Sequence, residues 1–312
     1  MSVPEPQPPP VRVDVFDALV GALRSVFGRF GLLLRAAWAP GLVFAGAVAA
    51  FYIALFRVMV PRFATLDTLP ARADLLRHIL LPAIPLAILM LLALDAFFVR
   101  WLQFLLDPEP PGWLAARTVR GFGRVLLWQL LAQGLFLVVA GVASAGLVMI
   151  LGANAGSAPS LRLLFALIPI VLLLYAGLGV AILRCALVFP AAALDRPLGI
   201  GAAWRLMRGN TWRLAVTMIV MMIGAEVAMM IAMIVVEIAI VILAIVIALA
   251  LAFLGVNPLE SPALASVGLA GGAALLGLLM TALEFILIAL FTAVLAIFYR
   301  QIVWERASPA VV

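Results

Sequence analysis

Apolar residues along this chain come in long uninterrupted runs. From Trp212 to Val256 the only ionisable side chains are Arg213, Glu226 and Glu237. A helix needs about 20 apolar residues to cross a bilayer, so runs of this kind predict membrane spans and not the one-sided face of a soluble helix. The pattern predicts spans at 38–55, 79–99, 125–151 and 163–188. Two further regions, 211–256 and 265–299, are long for single spans. The first would measure about 69 Å as one helix, roughly twice a hydrocarbon core. Each is either one long, tilted or kinked helix or two passes. A hairpin near Ile234–Ile238 would have to turn without Gly, Pro, Asn or Asp, which is poor turn chemistry.

Arginine placement bears on the choice, because basic residues concentrate in cytoplasmic loops. With about six spans and both termini inside, the cytoplasmic side holds most of the arginines, including Arg12, Arg24, Arg29, Arg35, Arg100, Arg117, Arg120, Arg124, Arg184 and Arg205. Arg57, Arg62, Arg72, Arg77 and Arg162 fall outside; the loop bearing the first four is the weak point of this topology. The expected fold is therefore an all-α polytopic transmembrane helical bundle of about six spans with added amphipathic interfacial helices. Residues 1–13 are expected to be a disordered proline-rich segment, 14–306 a single membrane domain, and 307–312 a flexible tail.

Between Asp14 and Ala36, Phe16, Leu19, Val20, Leu23, Phe27, Phe30 and Leu34 recur at three- and four-residue spacing. Such a helix lies in the headgroup layer or caps the bundle. Two later stretches, Ala115–Trp128 and Ala202–Val216, both contain Arg-x-x-Arg-Gly, at Arg117/Arg120/Gly121 and Arg205/Arg208/Gly209. Each then places an arginine, Arg124 or Arg213, at the foot of a span. Each reads as a short amphipathic helix, a bend at glycine, then a bilayer-crossing helix. Arg24–Arg29 is a looser version. The spacing suggests three units of an interfacial helix plus two spans, at 14–105, 110–190 and 197–300; duplication and convergent membrane-insertion chemistry both account for it.

Composition narrows the function classes. Hydrophobic residues make up 67% of the chain and charged residues 11%, against about 25% charged in soluble domains. All basic residues are arginine, a hint of a GC-rich bacterial genome. The net charge of +6 comes from loop arginines facing anionic lipid, with no basic domain for nucleic acid. The lone Cys185 cannot form an internal disulfide and the lone His78 is a span-boundary residue. No nucleophile–base set, metal-ligand cluster or phosphate loop is visible, so neither a catalytic residue nor a cofactor is expected.

The stretch Phe189–Leu214, FPAAALDRPLGIGAAWRLMRGNTWRL, resembles the signature of the bacterial glycerophosphoryl diester phosphodiesterase membrane-domain family and of related YciC-like multi-span proteins. The matching residues are Pro190, Asp195, Trp204, Arg205, Leu206, Arg208, Gly209, Asn210, Trp212 and Arg213. The resemblance implies a membrane module of about six spans. In the named phosphodiesterases catalysis belongs to a separate soluble barrel, which this chain lacks, so no hydrolase activity is implied.

Two groups of polar residues are functional candidates. Glu226, Glu284 and Glu237 fall on the last two spans, the first two near mid-bilayer, where a carboxyl either shares a proton, lines a cavity or hydrogen-bonds as a packing residue. Asp95 and Arg184 are candidates for a buried ion pair; otherwise Arg184 snorkels to phosphate. Trp204, Arg205, Arg208, Trp212 and Arg213, with Arg117, Arg120 and Arg124, combine indole and guanidinium, which suits anionic headgroups on the cytoplasmic side. Asn210 turns or caps the chain there. Gly271–Gly272 is a candidate hinge, and Pro82, Pro85 and Pro169 should kink or shorten their helices. The expected function is a non-enzymatic module of the bacterial inner membrane binding phospholipid or a protein partner. The alternative is a transporter or channel using the intramembrane carboxylates.

Overall fold

The structure is a computed structural model that describes residues 11–59, 69–153, 161–196, 198–253 and 262–304. The expectations for residues 1–10, for Gly255–Val256 and for the 307–312 tail lie outside the described residues. Every regular element among the described residues is helical: α1 Val15–Phe27, α2 Phe30–Met59, α3 Leu69–Leu106, α4 Ala116–Ala153, α5 Leu161–Cys185, α6 Val188–Ala193, α7 Ile200–Leu206, α8 Thr211–Phe253 and α9 Pro262–Tyr299, closed by a π-helical turn Arg300–Trp304. This is the expected all-α membrane fold. Five stretches are long and apolar enough to cross a bilayer, and α5 contributes a shorter apolar one, Pro169–Cys185.

The two overlong regions are single helices. α8 has 43 residues and α9 has 38. α8 runs unbroken through Ile234–Ile238, as its lack of turn residues requires. Helix also continues through Pro82 and Pro85 of α3 and Pro169 of α5, so these prolines do not end their helices early.

Lipid explains which faces point where. In α1 the expected large apolar stripe is the outer face: Phe16, Val20, Leu23 and Phe27 are exposed, as are Phe30 and Leu34 of α2. The buried face is made of smaller residues, Ala18, Ala22 and Val26. Gly21 belongs to it, since a Cβ there would sit 3.0 Å from Ile297 Cδ1. Hydrocarbon is as apolar as a protein core, so contact between membrane helices selects small side chains and bulky ones turn outward. Asp14 caps α1, its Oδ1 accepting from the amides of Phe16 at 2.8 Å and Asp17 at 3.1 Å.

The chain divides into two compact units. One takes its described residues from Met1–Ala22, Leu102–Met218 and Ala293–Val312; the other from Leu23–Trp101 and Ile219–Thr292. The expected single domain of consecutive repeats is thus organised by non-adjacent segments. In the second unit Phe285 is gripped by Phe44, edge-on at 5.7 Å, and by Phe97 at 4.7 Å. Trp101 Nε1 donates to the Ala289 carbonyl at 3.1 Å, satisfying a buried indole.

Glycines part helices at two of the three expected places. α1 and α2 part at Gly28, where a Cβ would lie 2.6 Å from the Arg24 carbonyl. α7 and α8 part at Gly209, whose φ of 88° is the left-handed conformation that glycine adopts freely. In the middle copy helix is unbroken: α4 continues through Gly121.

Candidate functional site

The polar chemistry of the first unit gathers around α6. The segment Ala186–Leu194 is buried apart from a half-buried Phe189. It is all small or aliphatic side chains around that Phe, so α4 can approach its backbone. Gly121 is the contact point: a Cβ there would sit 2.7 Å from the Ala193 carbonyl oxygen and 3.3 Å from that of Ala192. The carbonyls at the end of α6 are taken up by side chains. Gln103 Nε2 donates to Ala193 O at 3.1 Å, and Arg117 Nε donates to Leu194 O at 3.2 Å. The Thr118 hydroxyl donates to Gly112 O at 3.0 Å and lies 3.3 Å from Gln103 Oε1.

Asp195 follows as an acidic hub. Its φ of 56° puts it in the left-handed region, which Asp tolerates better than most residues. Arg120 Nε lies 3.0 Å from its Oδ2 and Arg124 Nη1 2.6 Å from its Oδ1. Arg117 Nη1 pairs with Asp107 Oδ2 at 2.7 Å. The three arginines at the start of α4 are therefore engaged by the protein itself.

A second cluster holds the α7–α8 elbow. Asn210 is buried; its Oδ1 accepts from the Val13 amide at 3.1 Å and its Nδ2 donates to the Val11 carbonyl at 2.7 Å. Arg213 Nη1 donates to the Val13 carbonyl at 2.6 Å. The expected disorder does not extend to Val11 and Val13, which are clamped by residues about two hundred positions away. On the elbow's outer surface Trp204, Arg205, Arg208 and Trp212 are exposed, while Ala203 and Met207 bury the other side of α7. Arg205 and Arg208 form no ion pair with a described residue.

Arg184 is half-buried and its guanidinium lies over the Trp204 ring at 4.7 Å. Arg184 pairs with no acidic group among the described residues. Asp95 belongs to the other unit, where it is buried. Sequence reasoning missed the stacking because Arg184 and Trp204 sit on different helices, but both were already marked as candidates. Beside Arg184 a cavity of about 350 Å³ is lined by Trp128, Leu131 and Leu135 of α4, Ala181 and Cys185 of α5, and Ile200 of α7.

The carboxylate candidates share one unit but are not joined. Glu226 and Glu237 are exposed on α8 and Glu284 is half-buried on α9. No hydrogen bond or ion pair ties any of the three to a described residue. Among the described residues no three His, Cys, Asp or Glu side chains come together as a metal site. The residues around Gly271–Gly272 lie in α9 with no break in the helix.

Comparison with known families, curated proteins and solved structures gives no match.

Proposed function

We propose that this chain is a non-enzymatic lipid-binding module of a bacterial inner membrane, with both termini cytoplasmic and the α7–α8 elbow in the inner headgroup layer. The observation that carries the reading is the division of labour among the arginines. Arg117, Arg120, Arg124 and Arg213 are held by Asp107, Asp195 and the Val13 carbonyl. Arg205 and Arg208 are left exposed between two exposed tryptophans. Indole rings settle at the interface, and a guanidinium fork takes phosphate oxygens in two parallel hydrogen bonds. The resemblance of Phe189–Leu214 to the glycerophosphoryl diester phosphodiesterase membrane-domain signature is in keeping with a membrane module.

Each arginine near an anionic surface contributes about 1 kcal/mol, so replacing both should weaken anionic-lipid binding by about 30-fold. The test is thermal unfolding in detergent with phosphatidylglycerol or phosphatidylcholine added. Phosphatidylglycerol should raise the wild-type Tm more than phosphatidylcholine does, and Arg205→Gln/Arg208→Gln should lose most of that difference. An undiminished difference in the double variant would refute the elbow as the binding surface.

A further inference from the structure

The groove beside the elbow has as a neighbour an arginine, Arg184, with no acidic partner among the described residues. Its walls come from α4, α5 and α7, with the buried Val188 of α6 at its floor. Leu131, Leu135 and Ile200 on its lips are exposed, so it opens towards the surroundings of the helices. Its volume is at the lower end of the range for ligand pockets, about 300–1,000 Å³. The side chains lining it are apolar but for the Cys185 thiol and an indole, which suits a hydrocarbon chain and not a polar solute.

Arg184 stands next to Cys185 in sequence, and Trp204 is one helical turn beyond Ile200. Their stacked pair therefore lies beside the groove on both α5 and α7. The indole satisfies one face of the guanidinium but accepts no hydrogen bond in its plane. Among the described residues Arg184 Nε is buried with no hydrogen-bond partner, and no carboxylate neutralises the charge. A half-buried guanidinium in a membrane needs an anion, and an oxyanion matches its in-plane donors.

We infer that the groove is a binding site for one anionic phospholipid, with an acyl chain between α4, α5 and α7 and the phosphate on Arg184. The inference rests on the lipid-binding reading above and adds to it a single defined occupant, distinct from the lipids gathered at Arg205 and Arg208. A protein helix could fill an apolar groove, but the charge at this rim calls for an oxyanion at the membrane boundary, and a phospholipid carries one joined to its chain.

Cys185 provides the assay, because it is the only cysteine and lines the groove. The full chain in dodecyl maltoside is treated with N-ethylmaleimide, and the alkylation rate is followed by intact mass with phosphatidylglycerol or phosphatidylcholine added. Phosphatidylglycerol should slow alkylation about fivefold or more relative to phosphatidylcholine, as expected for a lipid preferring this rim by about 1 kcal/mol. Arg184→Gln should erase the difference, and Arg205→Gln/Arg208→Gln should preserve it. Equal wild-type rates in the two lipids overturn the inference, as does protection that vanishes in the Arg205/Arg208 variant. Protection kept in that variant together with an unchanged Tm response to phosphatidylglycerol would sink the elbow reading and leave the groove standing. Should Arg184→Gln fail to fold, native mass spectrometry of the wild-type chain decides: one phosphatidylglycerol retained after the others are stripped supports the site, and none retained overturns it.

Discussion

Gly121 and Gly123 sit two residues apart in α4 and should respond in opposite directions to the same substitution. Gly121→Ala drives a methyl group against the Ala193 carbonyl, and neither backbone can yield cheaply. Overpacking of this kind costs about 1–3 kcal/mol, so the variant should unfold at a clearly lower temperature in detergent. Gly123 has open space around its Cα. Alanine there should stabilise by about 0.4–1 kcal/mol, through the smaller entropy of the unfolded chain. A similar loss in both would mean that the helix, and not its contact with α6, governs the response. Asp195 separates backbone from charge in the same way. Asparagine keeps the left-handed conformation and gives up the ion pairs with Arg120 and Arg124, which as half-exposed pairs contribute about 0–1 kcal/mol. Alanine loses those and also meets a left-handed penalty of about 1–2 kcal/mol. Asp195→Ala should therefore lower the Tm more than Asp195→Asn; equal effects would show the charge dominating.

At the scale of elements, the clamp at Asn210 joins the stretch before α1 to the start of α8. Asn210→Ala leaves the buried Val13 amide without its acceptor, a loss of about 1–3 kcal/mol. Hydrogen exchange at Val13–Ala22 should accelerate while exchange in the buried part of α9 stays unchanged; uniform acceleration would mean global destabilisation instead. The six long helices were legible because length and apolarity dominate them, and α8 was readable as one helix because it lacks any turn residue. The break at Gly209 was legible from Arg-Gly-Asn. The one at Gly121 was wrongly expected from the same dipeptide, because a glycine that bends a helix and one that lets a neighbour approach look alike in sequence. The inward face of α1 was also hidden. Periodicity marks a stripe of Phe and Leu, but with hydrocarbon outside it cannot say whether that stripe faces lipid or protein. The pairings of Arg117 with Asp107 and of Arg120 and Arg124 with Asp195 were invisible for another reason. By sequence all three suit headgroups; the fold brings Asp107, just after α3, to Arg117 and Asp195, in the turn after α6, to Arg120 and Arg124.

For the molecule as a whole, burial is uneven. The most apolar part of Gly277–Trp304 is 47% enclosed, against 6% of the most apolar part of Thr211–Ala239. α8 beyond Met221 therefore presents apolar side chains around its circumference, such as Ile223, Val227, Ile234 and Val235, which only a lipid or a protein neighbour can cover. The topology we propose is checked by single cysteines in a Cys185→Ser background. In intact spheroplasts a membrane-impermeant maleimide should label Arg77→Cys and spare Arg12→Cys and Gly112→Cys until the membrane is broken. Labelling of Arg12→Cys in intact cells would reverse the orientation.

The same clamp also dictates an order in time. Val11 and Val13 leave the ribosome early, yet their partners Asn210 and Arg213 are made only when about two thirds of the chain exists. At bacterial rates of synthesis, about 5–20 residues per second, the wait is on the order of 10–40 s. Throughout that interval the stretch before α1 lacks the partners that clamp it in the folded protein. The nascent chain thus carries α1 through this interval before the site that will hold it has been translated.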